Sequence, residues 1–176
     1  ADFSPKPLAG HSGNGMHINI SVNCDDGVSR RDAFMAGVLA HCREMTAVFN
    51  PSRESYRRLG EQKAPKYVSW SPENRSQLIR IPAANGDNER IEVRSPDPTA
   101  NPYLAFALLI YAGLEGIERE LEPCVPVNEN LYTAGKETTD KLERLPENRD
   151  EAIKIASGSE FVKKHLPAGL IEMLKI

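Results

Sequence analysis

The 176-residue chain is poor in several things, and each shortage excludes a class of protein. It has three cysteines, Cys24, Cys42 and Cys124, widely spaced and with no Cys-x-x-Cys pair. An odd, scattered set excludes a disulfide scaffold and argues against a zinc or dithiol redox site; free thiols of this kind fit a reducing compartment, and a cytoplasmic location is the expectation. The longest apolar run, residues 104–114, is shorter than the ~20 residues needed to cross a bilayer, and no basic-headed apolar leader opens the chain, so no membrane partner is expected. Aromatic residues make up 6%, with one tryptophan, and the net charge is −3. Neither the basic excess nor the stacking aromatics of a nucleic-acid-binding module are there. No internal repeat or low-complexity tract occurs.

What is present is an ordinary globular composition, 40% hydrophobic and 27% charged, with charge unevenly placed. Residues 57–94 carry a local balance of +3, mostly arginine, while 115–176 balance at −4. Arginine offers a planar fork matched to carboxylate and phosphate.

Periodicity divides the chain. Residues 1–15 are rich in Gly, Pro and Ser and read as loop. Met16–Val22 reads as a strand, followed by a turn at Asp25-Asp26-Gly27. Ser29-Arg30-Arg31-Asp32 resembles a capping box ahead of Met35, Val38, Leu39, Cys42, Met45 and Phe49 at helical spacing. Pro51 ends that helix. Residues 51–65 read as polar loop, and Tyr67–Trp70, Gln77–Pro82 and Arg90–Arg94 as short strands, with Asn85-Gly86 as a turn signal between the last two. A helix over 101–121 is apolar on nearly every side in its first half, which predicts full burial there. A Pro- and Asn-containing connection covers 122–135, then short helices are expected at Asp150–Ser157, Glu160–Leu166 and Leu170–Leu174. Strands followed by helices on one side predict an α+β fold with a mainly antiparallel sheet backed by helices.

Three segments could carry chemistry. Gly13-Asn14-Gly15-Met16-His17 joins a loop that lets backbone approach a ligand to an imidazole at the mouth of a strand. In Arg90-Ile91-Glu92-Val93-Arg94, alternation puts Arg90, Glu92 and Arg94 on one face, where two guanidiniums keep the carboxylate ionised and able to ligate a hard cation. Asn74–Pro82 holds Arg75 and Arg80, whose odd separation places them on opposite faces unless a bulge intervenes. Taken alone, each segment is also compatible with an ordinary paired-charge surface or a structural histidine. Together they describe what phosphoryl transfer requires, without a Walker loop, a kinase catalytic set or a nucleophile elbow.

Longer strings carry a resemblance. Asn14-Gly15-Met16-His17, Ser55-Tyr56-Arg57-Arg58-Leu59, Asn74-Arg75-Ser76, Ile79-Arg80-Ile81-Pro82, Glu92-Val93-Arg94-Ser95-Pro96-Asp97-Pro98, Asn101-Pro102-Tyr103-Leu104-Ala105 and Asn130-Leu131-Tyr132 follow the order found in class I glutamine synthetases. The chain resembles the C-terminal part of that family's catalytic domain, a partial glutamine synthetase/guanido kinase-like fold, across residues 1–176. The resemblance implies that the N-terminal β-grasp domain and the first part of the catalytic domain, with the remaining metal-binding glutamates, are absent, and that the chain alone is inactive. It implies ATP-dependent ligation of ammonia to the side-chain carboxylate of glutamate through a γ-glutamyl phosphate, with Mg²⁺ or Mn²⁺, in a ring-shaped homo-oligomer, a dodecamer. By the same resemblance, His17 and Glu92 are metal ligands; Gly13, Arg58 and Arg94 bind glutamate; Asn19, Ser21, Arg75 and Arg80 face ATP; and Arg58 and Arg75 take part in catalysis.

Departures are specific. Lys63 stands where the family commonly has a flap glutamate before Ala-Pro, in a loop one residue shorter than usual, with Glu61 two residues away. Asn19 stands where histidine is usual, and the family places a basic residue near Asp87. Tyr132 aligns with a tyrosine that some bacterial members adenylylate. Lys63 keeps open a γ-glutamyl–amine ligase acting on a larger amine, and a non-catalytic structural or regulatory homologue is the third reading.

Overall fold

The computed structural model describes residues 1–83 and 89–175. The Asn85-Gly86 turn and Asp87 lie outside the described residues. Four three-residue strands form one sheet in the order β1-β4-β3-β2: β1 is Ile18–Ile20, β2 Trp70–Pro72, β3 Ile79–Ile81 and β4 Ile91–Val93. β4 pairs antiparallel with both β1 and β3, as expected, whereas β2 runs parallel to β3. The predicted strand at Tyr67–Trp70 is displaced: β2 begins at Trp70, and Tyr67 makes only an isolated bridge to Arg144. Register separates two faces. Ile18, Val93 and Ile79 lie abreast and are buried in the core, as is Ile91. Asn19, Glu92, Arg80 and Ser71 lie abreast on the other face.

Helix α1, Arg31–Phe49, covers the apolar face with Phe34, Met35, Val38, Leu39, Cys42, Met45 and Phe49, all buried at the spacing read from the sequence. Ser29 does not cap it. The N-cap is Arg30, without a side-chain bond, because Asp26 holds Arg30 in an ion pair and accepts from Val28 N–H at 3.0 Å, folding the preceding turn its own way. The helix ends at Asn50, whose buried side chain donates to Ser95 O (2.9 Å) and Asp97 Oδ2 (3.0 Å), fixing the segment after β4.

The expected loop 51–65 contains a helix, α2, Arg53–Arg58. Ser52 accepts from Ser55 N–H and Ser55 returns the bond to Ser52 N–H; a serine in place of the usual Glu or Gln hid this box in the sequence.

Helix α3, Pro102–Glu118, starts on Asn101, whose Oδ1 accepts from Tyr103 N–H (3.0 Å) and Leu104 N–H (3.4 Å). It crosses α1 at backbone contact: a Cβ on Gly37 would overlap the Ala112 carbonyl, and one on Gly116 the Ala33 carbonyl. The expectation of all-round burial is corrected. Ala105, Leu108, Leu109 and Ala112 are buried, but Tyr103, Phe106, Ile110, Tyr111 and Leu114 are exposed, since only one side of α3 meets α1 and the sheet.

Four further helices close the helical layer: α4 (Lys136–Thr139), α5 (Arg149–Gly158), α6 (Glu160–His165) and α7 (Ala168–Met173). α5 is capped by Asn148 and α6 by Ser159; Ala152 and Ala156 of α5 pack on Ala47 of α1. No helix among the described residues is long and apolar enough to cross a membrane.

Candidate functional site

The polar face of the sheet brings together Glu92, Arg80, Arg94 and His17. Glu92, in the middle of β4, is 7% exposed. Its Oε2 accepts from Arg80 Nε on β3 at 2.6 Å and from Arg94 Nη1 at 3.3 Å, and its Oε1 lies 3.1 Å from Nδ1 of His17, just before β1. Burial pushes the carboxyl pKa up, but the Arg80 hydrogen bond and the charges of Arg94, Arg80 and His17 outweigh it and hold the pKa at about 2. Glu92 is therefore ionised at any physiological pH. The imidazole of His17 is shifted the opposite way to an ordinary Glu partner: burial, then the Arg94 charge, lowers its pKa despite Glu92, favouring the neutral, ligating form.

These two residues fit a divalent cation on geometry. His17 Nδ1 and Glu92 Oε1 converge, 3.1 Å apart in a direct hydrogen bond, and a divalent cation would be held by these two atoms in place of that bond. A neutral imidazole beside an ionised carboxylate is also the right donor chemistry. No group of three or more His, Cys, Asp or Glu able to hold a metal forms among the described residues.

Arg58, last residue of α2, is 3% exposed. Its Nη1 donates to Ser95 O (2.8 Å) and Nη2 to Arg94 O (3.1 Å), and burial draws its pKa down to about 10, Arg94 adding to the effect and Asp97 opposing it. The Gly loop packs directly on it. A Cβ on Gly13 would overlap Pro5 O and press on the Arg58 side chain; one on Gly15 would meet both Arg58 Nη2 and His17 Nε2. Glycine is required there for close approach rather than for a special backbone angle. Asn14 secures the loop by donating to Ser4 O (2.8 Å), and Met16 N–H donates to Pro96 O (2.9 Å).

Arg94 is the joint of the site. Besides Glu92, it reaches Lys63 O through Nη2 at 3.1 Å, and its buried Nε has no protein partner. A donor in that condition is suited to an anionic ligand. Lys63 sits at φ +67°, the left-handed region, with its carbonyl turned to Arg94 and its side chain exposed. Glu61 lies 3.6 Å from the buried Lys6 ammonium, and Gln62 donates to Gly10 O. The 60–65 loop is thus fastened to β4 and to the N-terminal loop. A cavity of about 590 Å³ opens between it and the 131–139 segment, lined by Lys63, Lys66, Tyr67 and Tyr132 among others.

The remaining candidates are spread. Asn19 shares the polar face and accepts from Arg90 Nε at 3.1 Å. Ser21 is exposed beyond the end of β1. Arg75 is exposed on the β2–β3 connection; its carbonyl accepts from the Tyr132 hydroxyl at 3.3 Å. Arg75 lies in a turn before β3 rather than in the strand, so the alternation expected to oppose it to Arg80 does not apply; of the two, Arg80 reaches Glu92. Sequence reasoning did not single out Lys6, Asn50 or Ser95, which hold the site's loops; their contacts span 37 to 55 residues, beyond any local pattern.

Known proteins resemble this chain in sequence and fold. The family model described as glutamine synthetase, catalytic domain, matches residues 1–174. A glutamine synthetase of Methanosarcina mazei is 47% identical over 94% of this chain and 40% of its own length, and one of Pyrococcus furiosus is 44% identical over the same shares. The solved structure of a GmaS/ADP complex superposes with a TM-score of 0.81 at 30% identity, covering 99% of this chain and 44% of its own. The chain therefore spans about two-fifths of the length of the curated relatives it matches. On the family match, the shared α+β fold and the polar face built around Glu92, the chain belongs to the glutamine synthetase catalytic-domain family.

Proposed function

We propose that this chain is the C-terminal part of the catalytic domain of an ATP-dependent carbon–nitrogen ligase that joins ammonia to the side-chain carboxylate of glutamate through a γ-glutamyl phosphate, releasing glutamine, ADP and phosphate. The observation that carries the reading is Glu92, ionised and buried between Arg80 and Arg94 and 3.1 Å from His17. His17 and Glu92 would hold Mg²⁺ or Mn²⁺, which neutralises phosphate oxygens when bound. Arg80 already lies against Glu92 and supplies positive charge toward the transferred group; Arg75 is assigned the same task from across the β2–β3 connection. Arg94 and Arg58, with backbone at Gly13, are assigned the glutamate carboxylate; Arg94 Nε is the free donor for it. Asn19 and Ser21 are assigned to ATP, and the ADP bound by GmaS supports an adenine nucleotide here. In a ring-shaped homo-oligomer, a dodecamer in the family's manner, the β-grasp domain of a neighbouring subunit contributes to the site, so the 176-residue chain alone is inactive.

The test uses the full-length polypeptide with glutamate, ATP and Mg²⁺. Phosphate release that depends on ammonium supports the reading; its absence overturns it. The second reading, a γ-glutamyl–amine ligase, rests on Lys63, which leaves position 63 of the 60–65 loop without a carboxylate. Release with a larger amine and none with ammonium selects it.

A further inference from the structure

Away from the Glu92 cluster, four rings form a ladder through the helical layer. His41 of α1 stacks on Phe161 of α6, with centroids 4.0 Å apart and planes 16° apart. Phe161 meets His165 at 4.9 Å, and His165 stacks on Tyr111 of α3 at 4.0 Å. Both ring nitrogens of His41 face carboxylates. Nδ1 is 3.0 Å from Glu44 Oε2 on its own helix, in hydrogen-bond contact, and the buried Nε2, which has no hydrogen-bond partner as it stands, is 3.4 Å from Glu115 Oε1 on α3. Glu44 also accepts from the hydroxyl of Ser159, the N-cap of α6, at 2.7 Å, and Glu115 from Arg119 at 2.7 Å. The groups around His41 are therefore Glu44 from α1, Glu115, Arg119 and Tyr111 from α3, and Ser159, Phe161, Lys164 and His165 from the α6 segment.

A neutral imidazole has one N–H and one lone pair, so it can donate to one of these carboxylates and must aim its lone pair at the other. An imidazolium donates to both, in charge-assisted bonds, and lies over an aromatic face. Histidine ordinarily changes charge between about pH 5 and 8. The second histidine is disfavoured as the charged member of the ladder: burial, then Lys164, lowers the proton affinity of His165, although Glu115 opposes this.

We propose that His41 is a protonation-dependent fastener of α6: as imidazolium it bridges Glu44 and Glu115 and clamps the 159–165 segment onto α1 and α3, and loss of the proton loosens that segment. The segment matters to the core, since α6 and its C-cap supply Phe161, Val162 and Leu166 to it.

Hydrogen exchange of peptides covering 159–166, measured by mass spectrometry in the full-length protein at about pH 6 and about pH 8 and corrected for intrinsic rates, tests this. The opening equilibrium is expected to be roughly tenfold larger at the higher pH, the difference made by one charge-assisted hydrogen bond. In His41→Gln the ratio falls to near one. Where that variant does not fold, Glu115→Gln, which leaves His41 a single carboxylate, is expected to bring the ratio below about threefold. Equal opening at both pH values in the unmodified protein overturns the proposal. So does a tenfold ratio that survives in His41→Gln, or in Glu115→Gln if only that variant folds.

Discussion

Replacing Glu92 by glutamine keeps the shape of the side chain and removes its charge. The carboxylate is 7% exposed and shared among Arg80, Arg94 and His17. The gap between a pKa of about 2 and the ordinary 4.5 corresponds to roughly 3 kcal/mol of stabilisation at neutral pH. Removing one partner of a buried ion pair costs about 3–5 kcal/mol by mutational experience, and Arg94, with 4% of its side chain exposed, would be left without its carboxylate. The two figures agree, so Glu92→Gln is expected to lower unfolding free energy by ~3 kcal/mol, about two orders of magnitude in the folding equilibrium. Urea unfolding in chelator at neutral pH measures it. The sign with pH follows from a depressed folded-state pKa: the stabilisation is fully present above 4.5 and is lost as pH falls through about 2. The two proteins should therefore converge in strong acid. A difference below ~1 kcal/mol at neutral pH would show that the cluster is held by the sheet rather than holding it. A difference constant down to about pH 2 would refute the charge argument altogether.

Three further outcomes are expected. Gly13→Ala should displace the 5–15 loop from Arg58, because the new Cβ meets the Pro5 carbonyl; a loss of at least ~1 kcal/mol in thermal unfolding, with unchanged helix content, checks it. Gly116→Ala should cost more, about 2–3 kcal/mol, since backbone of α1 and α3 must separate along their crossing, and urea unfolding would show no loss if the helices can shift freely. Maleimide labelling of the native protein should modify exposed Cys124 and spare Cys42, whose thiol is buried and shifted to high pKa by that burial; labelling of Cys42 at the Cys124 rate would contradict the packing of α1.

Much of the layer structure was legible because it is periodic. Met35 to Phe49 recur at helical spacing, and Pro51 marks the stop, so α1 could be read to within a few residues. Arg90, Glu92 and Arg94 alternate with Ile91 and Val93, which announced a two-faced strand, and the contacts of Glu92 lie on that polar face. The α2 helix was missed because it is only six residues long and Ser55 stands where a capping box usually has Glu or Gln, although Ser52 is itself a favourable N-cap. The parallel β2–β3 pair was missed because partner choice between strands is a tertiary decision. The exposed stripe of α3 escaped because hydropathy records what a residue is, not what faces it. At the site, residue types pointed to metal and anion chemistry, but proximity did not: nothing local distinguishes Arg80, which reaches Glu92, from Arg75, which does not.

The pairing of Glu92 with Arg80 and His17 also acts as a gauge of strand alignment. Slipping β4 by one residue would turn Glu92 into the apolar layer and Ile91 or Val93 onto the arginines, so the groups assigned to chemistry also keep the strands from sliding. Replacing Glu92 alone would therefore remove a marker of register as well as a charge, leaving the alignment of β4 with β1 and β3 to Ile91 and Val93 against the core.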